Sequence, residues 1–168
     1  IRNDIIESVA LNYNIDNILK IYKKTLTLNK LISKETGKDL MFSYKRASNI
    51  IYNELKNSKI ELSGSADPGL FKNEFEKILY KKIHEIRKDF TNIGKDEDYE
   101  GLLKTLSLAR KEVNEFFDNV IVNDQDELIK KNRLELLQML CKTFDNYLNF
   151  SKIENIQWKK LHLTLILK

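Results

Sequence analysis

Residues 113–122 read Val113-Asn114-Glu115-Phe116-Phe117-Asp118-Asn119-Val120-Ile121-Val122, and ten residues later the chain continues Asn132-Arg133-Leu134-Glu135-Leu136-Leu137. Val113, Phe116, Phe117 and Val120 recur at helical spacing, and the same period runs back through Leu106, Leu103, Leu102 and Tyr99. Val120-Ile121-Val122 departs from it and is expected to leave the helix as an extended, buried connection. Asp124 is then expected to cap a last long helix that points Ile129, Leu136, Leu137, Leu140, Phe144, Tyr147 and Leu148 inward. Phe116 and Phe117 face about 100° apart on a helix, so at least one is core and the other is either core or an exposed stacking surface.

Outward from this stretch the pattern stays helical. Before it, Phe71, Phe75, Ile78, Leu79, Ile83, Ile86 and Phe90 form a wide apolar stripe. Asp67-Pro68 predicts its start and Asn92-Ile93-Gly94 its end. Residues 57–67 read as a loop. Leu40, Tyr44, Ala47 and Ile51 mark a further helix, separated by Ser33-Lys34-Glu35-Thr36-Gly37 from one carrying Ile18, Leu19, Tyr22, Leu26 and Leu31. Asn14 or Asp16 is the expected cap of that helix, and Ile5, Ile6, Val9, Ala10 and Tyr13 mark a short first one. The fold class is all-α, a helical bundle of about six or seven helices over residues 1–154. Residues 155–168 follow as a C-terminal extension of unassigned role, in which Trp158, Leu161, Leu163 and Leu165 could dock on the bundle.

The chain has 168 residues, 42% hydrophobic and 32% charged, a balance expected of a soluble domain with a real core. One proline and five glycines leave room for long helices. A single cysteine, Cys141, makes no internal disulfide and sits on the apolar stripe as a small core hydrophobe, which fits a reducing cytoplasm. No apolar run reaches the roughly 20 residues of a membrane span, so no membrane association is expected. The polar opening IRNDIIESVA lacks an initial methionine, as a piece of a longer protein would. Net charge is +4, which permits nucleic-acid binding without demanding it.

Chemistry is sparse. There is no glycine-rich phosphate loop, GxSxG, HExxH or CxxC pattern. His84, between Ile83 and Ile86, reads as half-buried or solvated, because general-base work needs a placed partner. Carboxylates interleave with lysines: Lys72 with Glu76, Glu74 with Lys77, Lys81 with Glu85. These pairs read as solvated helix faces. No catalytic residue and no metal site is expected.

Three stretches, in order and spacing, resemble the β chain of bacterial glycyl-tRNA synthetase. They are Asp4-Ile5-Ile6-Glu7-Ser8-Val9 running on to Tyr44-Lys45-Arg46-Ala47-Ser48-Asn49-Ile50; Asp67-Pro68-Gly69-Leu70-Phe71 with Glu76 and Leu79; and the 113–122 and 132–137 segments quoted above. The chain departs from the family pattern at Glu112, where proline is frequent, and at Lys130, where arginine is frequent. The resemblance covers about residues 2–154 and implies the helical anticodon-binding fold of the Asp-Ala-Leu-Arg (DALR) type. It also implies a cytoplasmic module that binds glycine tRNA and works with a separate catalytic α chain, where ATP and magnesium would be used.

An unpaired RNA loop is held by cations on phosphates and by stacking and hydrogen bonds to bases. Lys45, Arg46, Lys81, Lys82, Arg110, Lys111 and Arg133 are the candidate tRNA-binding residues. Arg46 has an alternative reading as an ordinary amphipathic surface residue, and Arg133 as a buried arginine paired with Asp118 that pins the Phe116–Val122 connection to the last helix. A glycine anticodon ends in two cytosines, whose amines donate and whose N3 and O2 accept, so acidic or amide groups with arginine would complement them. The alternative function is a helical protein–protein docking domain without RNA contact.

Overall fold

A computed structural model describes residues 1, 3–10, 18–93, 99–146 and 150–153. Within them are seven α-helices: α1 (Asn3–Ala10), α2 (Ile18–Ile32), α3 (Glu35–Asn57), α4 (Glu74–Ile93), α5 (Tyr99–Ser107), α6 (Arg110–Asn119) and α7 (Glu127–Asp145). Two 3₁₀ turns, Pro68–Leu70 and Phe150–Lys152, complete the described elements, and none of these is a strand. No helix among the described residues is long and apolar enough to cross a membrane. Asn14, Asp16, Tyr13, Tyr147, Leu148 and the whole 155–168 extension lie outside the described residues.

Helix α7 is the centre of the bundle. Ile129, Leu136, Leu137, Leu140 and Phe144, all on the expected inward line, are buried. Helices α3, α4 and the 3₁₀ turns pack against it. Phe116, Phe144 and Phe150 are fully buried, each worth roughly 1.5–3 kcal/mol by burial alone. The Phe144 ring stacks with Tyr44 at 6.2 Å, and Phe150 lies 5.4 Å from Tyr44. The Tyr44 hydroxyl reaches past them to donate to both Asp145 carboxylate oxygens at 2.9 and 3.0 Å. Burial pushes the Asp145 carboxyl up to about 6, against the opposing pull of that hydroxyl. Burial likewise raises the Cys141 thiol, the small core residue expected from its place on the stripe.

Several boundaries differ from the sequence expectation. Asp67-Pro68 starts only a single 3₁₀ turn, in which Asp67 Oδ1 accepts from the Gly69 amide at 2.8 Å. Phe71 then turns extended, and α4 begins six residues late. The true cap is Asn73, whose Oδ1 accepts from Phe75 N at 2.9 Å. Glu76 completes a capping box by accepting from Asn73 N at 2.6 Å and Lys72 N at 2.8 Å. Helix α7 is capped by Asp126, not Asp124, because Asp126 Oδ1 accepts from Leu128 N and Ile129 N. Asp124 sits two residues earlier and accepts from Asp126 N instead.

The face of α2 is also different. Of the expected face, Ile18, Leu19 and Tyr22 are exposed and Leu26 and Leu31 partly buried, whereas Thr25 and Leu28 are buried, with Ile21 and Ile32 partly so. Lys24 hides this stripe in the sequence: it is buried within α2, and burial lowers its ammonium to about 8. The break between α2 and α3 is confined to Ser33 and Lys34, and Gly37 falls in the first turn of α3. A Cβ on Gly37 would run into the Leu31 backbone carbonyl. Gly37→Ala is therefore expected to lower stability by about 1–3 kcal/mol despite the better helix propensity of alanine. A urea melt showing equal or greater stability would refute this close approach.

Candidate nucleic-acid interface

The polar residues of the 132–137 segment each strap a connector onto α7. Asn132 clamps Asp67 through both backbone groups, its Oδ1 accepting from Asp67 N at 2.7 Å and its Nδ2 donating to Asp67 O at 2.9 Å. Glu135, 4% exposed, accepts from the backbone amides of Ser63, Gly64 and Ser65 at 2.7, 2.5 and 3.1 Å. Gly64 has φ 81°, the left-handed conformation that turns its amide into this nest.

Arg133, 6% exposed, is bound inside the same framework. Its Nε donates to Glu76 Oε1 at 2.7 Å, and its Nη1 to Asp124 Oδ2 at 2.6 Å and to the Ile121 carbonyl at 2.8 Å. Asp118, the partner expected from sequence, is exposed. Expected pairing with Asp118 is thus replaced by pairing with Glu76 and Asp124. The pinning of the 120–122 connection is real, but it runs through the Ile121 carbonyl. Glu76 is wholly buried, not on a solvated face. Bonds from Asp126 N and from Arg133 hold the Asp124 carboxyl below its ordinary range.

The other candidate cations divide into two places. Lys81 is exposed on α4, and next to it Lys82 bridges Glu85 at 3.0 Å and, across to α6, Glu112 at 3.4 Å. These contacts hold the Lys82 ammonium above its ordinary value. Arg110 pairs with Asp39 of α3, and the exposed Lys111 sits 3.7 Å from Glu115. Lys81 and Lys82 thus lie on α4 and Arg110 and Lys111 at the start of α6, with Lys82–Glu112 joining these two helices and Arg110–Asp39 joining α6 to α3.

Lys45 and Arg46 lie elsewhere, on the middle of α3. Lys45 is half-buried and Arg46 exposed. The Arg46 guanidinium carbon stands 4.3 Å from the centre of the Phe117 ring, a cation–π contact that holds the charge in place. Phe116 and Phe117 are both buried and meet edge-to-face at 5.6 Å. Phe117 nevertheless has its ring margin at a groove of about 370 Å³ between α3, the 120–123 segment and α7.

That groove exists because α6 stops at Asn119 and the chain runs extended through Val120. Extended backbone alternates sides. Val120 is buried and Ile121 is 77% exposed, so the connection is only half inside, contrary to the fully buried one expected. Val120, Ile121, Val122 and Asn123 form one wall, and Ile50, Leu134 and Phe117 the others. Arg46, Glu54 and Lys130 supply its charged groups, with Lys130 Nζ paired to Glu54 Oε1. Glu54 holds the Lys130 ammonium above its ordinary value. Glu54 was not picked out by sequence reasoning, although Arg46, Ile50 and Glu54 stand four residues apart along one line of α3, which is the signal that would have found it.

Among the described residues no group of three or more His, Cys, Asp or Glu is placed to hold a metal ion. His84 is exposed, its ring centre 4.5 Å from that of Tyr80.

Comparison with known proteins adds a family to this geometry. The sequence matches the DALR anticodon binding domain over residues 40–157. It is 36% identical to the glycine–tRNA ligase beta subunit of Rickettsia prowazekii (strain Madrid E) over 137 residues, 82% of this chain and 20% of that protein. It is 34% identical to the protein of the same name from Rickettsia canadensis (strain McKiel) over 146 residues, 87% of this chain and 21% of that one. The chain therefore spans about a fifth of the length of these relatives.

Proposed function

Because this chain belongs to the DALR anticodon binding domain family, we propose that it is the tRNA-gripping module of a bacterial glycine–tRNA ligase β chain. The family match, covering most of the bundle, is the observation that carries the reading. The module does no bond chemistry. Glycine activation, with ATP and magnesium, takes place on a separate catalytic α chain in the cytoplasm, and this module adds affinity by holding the anticodon arm of glycine tRNA.

Phosphate oxygens are held by long-range charge, and unpaired bases by planar or apolar surfaces. The exposed Arg46 and Lys81 lead the first task, with Lys45, Lys82, Arg110 and Lys111 beside them. The carboxylates paired with Lys82, Arg110 and Lys111 must release them, or share them, for those three to engage phosphates. Arg133 supports the reading only indirectly, by fixing the wall of the groove.

Titrating glycine tRNA against this chain at two salt concentrations tests the proposal. Binding is expected to weaken by at least about tenfold between ~50 and ~200 mM salt, because each neutralised phosphate releases counterions. A non-cognate tRNA is expected to bind more weakly at both. Negligible, salt-insensitive binding to both RNAs would count decisively against the proposal.

A further inference from the structure

We propose that the groove between α3, the 120–123 segment and α7 receives one unpaired pyrimidine base bearing an exocyclic amine, and that Glu54 selects it. This inference rests on the tRNA-binding reading above and deepens it. Three observations converge on it.

The first is size and lining. At about 370 Å³ the groove lies near the lower end of the roughly 300–1,000 Å³ of small-ligand sites. It suits a single flat ring better than a helix or strand of a partner protein. Its walls at Ile50, Val120, Val122 and Leu134 are aliphatic, the kind of surface that takes the faces of a base out of water.

The second is the charged pair inside. Glu54 and Lys130 both line the groove and are largely shielded, with side chains 22% and 12% exposed. Side by side they offer an acceptor and a donor. The Watson–Crick edge of cytosine carries the complementary order, an amine that donates beside N3 and O2 that accept. Uracil presents a carbonyl oxygen where cytosine has the amine, and that oxygen would face the Glu54 carboxylate with no proton between them. The discrimination is therefore built from repulsion as well as attraction.

The third is the mouth. Arg46 is anchored over Phe117 at the edge of the groove, so its charge is already positioned for the phosphate next to an inserted base. An arginine held on a ring loses less conformational freedom on binding than one free to swing.

The test uses a synthetic anticodon stem–loop of glycine tRNA in which each loop base in turn is replaced by an abasic site, and a second series with uracil in place of each cytosine. Wild-type chain is compared with Glu54→Gln, whose folding is checked by thermal melt. At one loop position the abasic and uracil replacements are each expected to cost about tenfold in affinity. Glu54→Gln is expected to cost about tenfold on the intact loop and close to nothing further on that abasic loop. Losses that multiply at every position, with wild-type binding to the intact tRNA retained, overturn the base pocket and leave the tRNA-binding reading standing. Full-affinity RNA binding that leaves the Val120–Asn123 amide resonances unshifted assigns the groove to another occupant, such as an apolar side chain of a protein, and also overturns it. Failure of wild-type chain to bind any glycine tRNA at low salt removes the parent reading and the pocket together.

Discussion

Replacing Arg133 with alanine is expected to destabilise the fold by about 3–5 kcal/mol. The guanidinium ties two other pieces of chain to α7: the start of α4 through Glu76, and the α6–α7 connector at two points, the Ile121 carbonyl and the Asp124 carboxylate. Without it, Glu76 remains wholly enclosed with its Oε1 unsatisfied. An enclosed carboxylate without its partner costs far more than the net worth of the intact pair. Lysine at 133 should recover little, since a single ammonium cannot reproduce a fork that reaches three acceptors. Replacing both members with apolar residues, Glu76→Leu with Arg133→Met, should recover only part of the loss. Glu76 Oε2 also accepts from Lys72 N and Asn73 N, so the cap of α4 would go with it. Urea unfolding followed by far-ultraviolet circular dichroism reads these differences. A loss below about 1 kcal/mol for Arg133→Ala would place this residue among ordinary surface pairs and sink the account.

The second large effect is expected at Glu135. Its carboxylate gathers three consecutive backbone amides, Ser63 to Ser65, and the Ser63 hydroxyl at 3.1 Å. Hydrogen bonds to a charged acceptor contribute about 1.5–3 kcal/mol each when counted singly. They are not additive here, because the 58–67 loop can lift away and hydrate its amides. Glu135→Ala is therefore expected to cost about 2–4 kcal/mol. Glutamine should retain much of that loss, since its amide group would turn an N–H toward an N–H. Hydrogen exchange distinguishes the mechanism: the Ser63, Gly64 and Ser65 amides should lose protection before those in the middle of α7. Unchanged protection at these three positions in Glu135→Ala would show that the loop is held by something else.

Both residues belong to the 132–137 segment, and this bears on how motifs are read. Asn132, Arg133 and Glu135 are polar residues inside an apolar run, and the sequence left Arg133 open between an RNA contact and a buried, paired arginine. In the fold all three are turned inward, holding connectors that have no secondary structure of their own to satisfy their backbone groups. The residues facing the groove are instead Arg46, Glu54 and Lys130, drawn from α3 and α7.

The amino-acid sequence by itself determined the helical character of the chain and most of its core. Period 3.6 identifies Leu40, Tyr44, Ala47 and Ile51 on α3, and Leu136, Leu137, Leu140 and Phe144 on α7, and all are buried. Such a pattern is local, so it survives reading one residue at a time. It failed on α2, where two apolar stripes compete and a buried lysine masks the one that packs. It also misplaced the caps of α4 and α7, because Asp67, Asn73, Asp124 and Asp126 are all competent caps by residue type. Only the tertiary structure chose among them, through Asn132 on Asp67 and Arg133 on Asp124. The partner of a buried charge and the lining of a groove depend on residues up to 88 positions apart, from Arg46 to Leu134. Contacts of that kind are set by how helices pack, and no local periodicity encodes them.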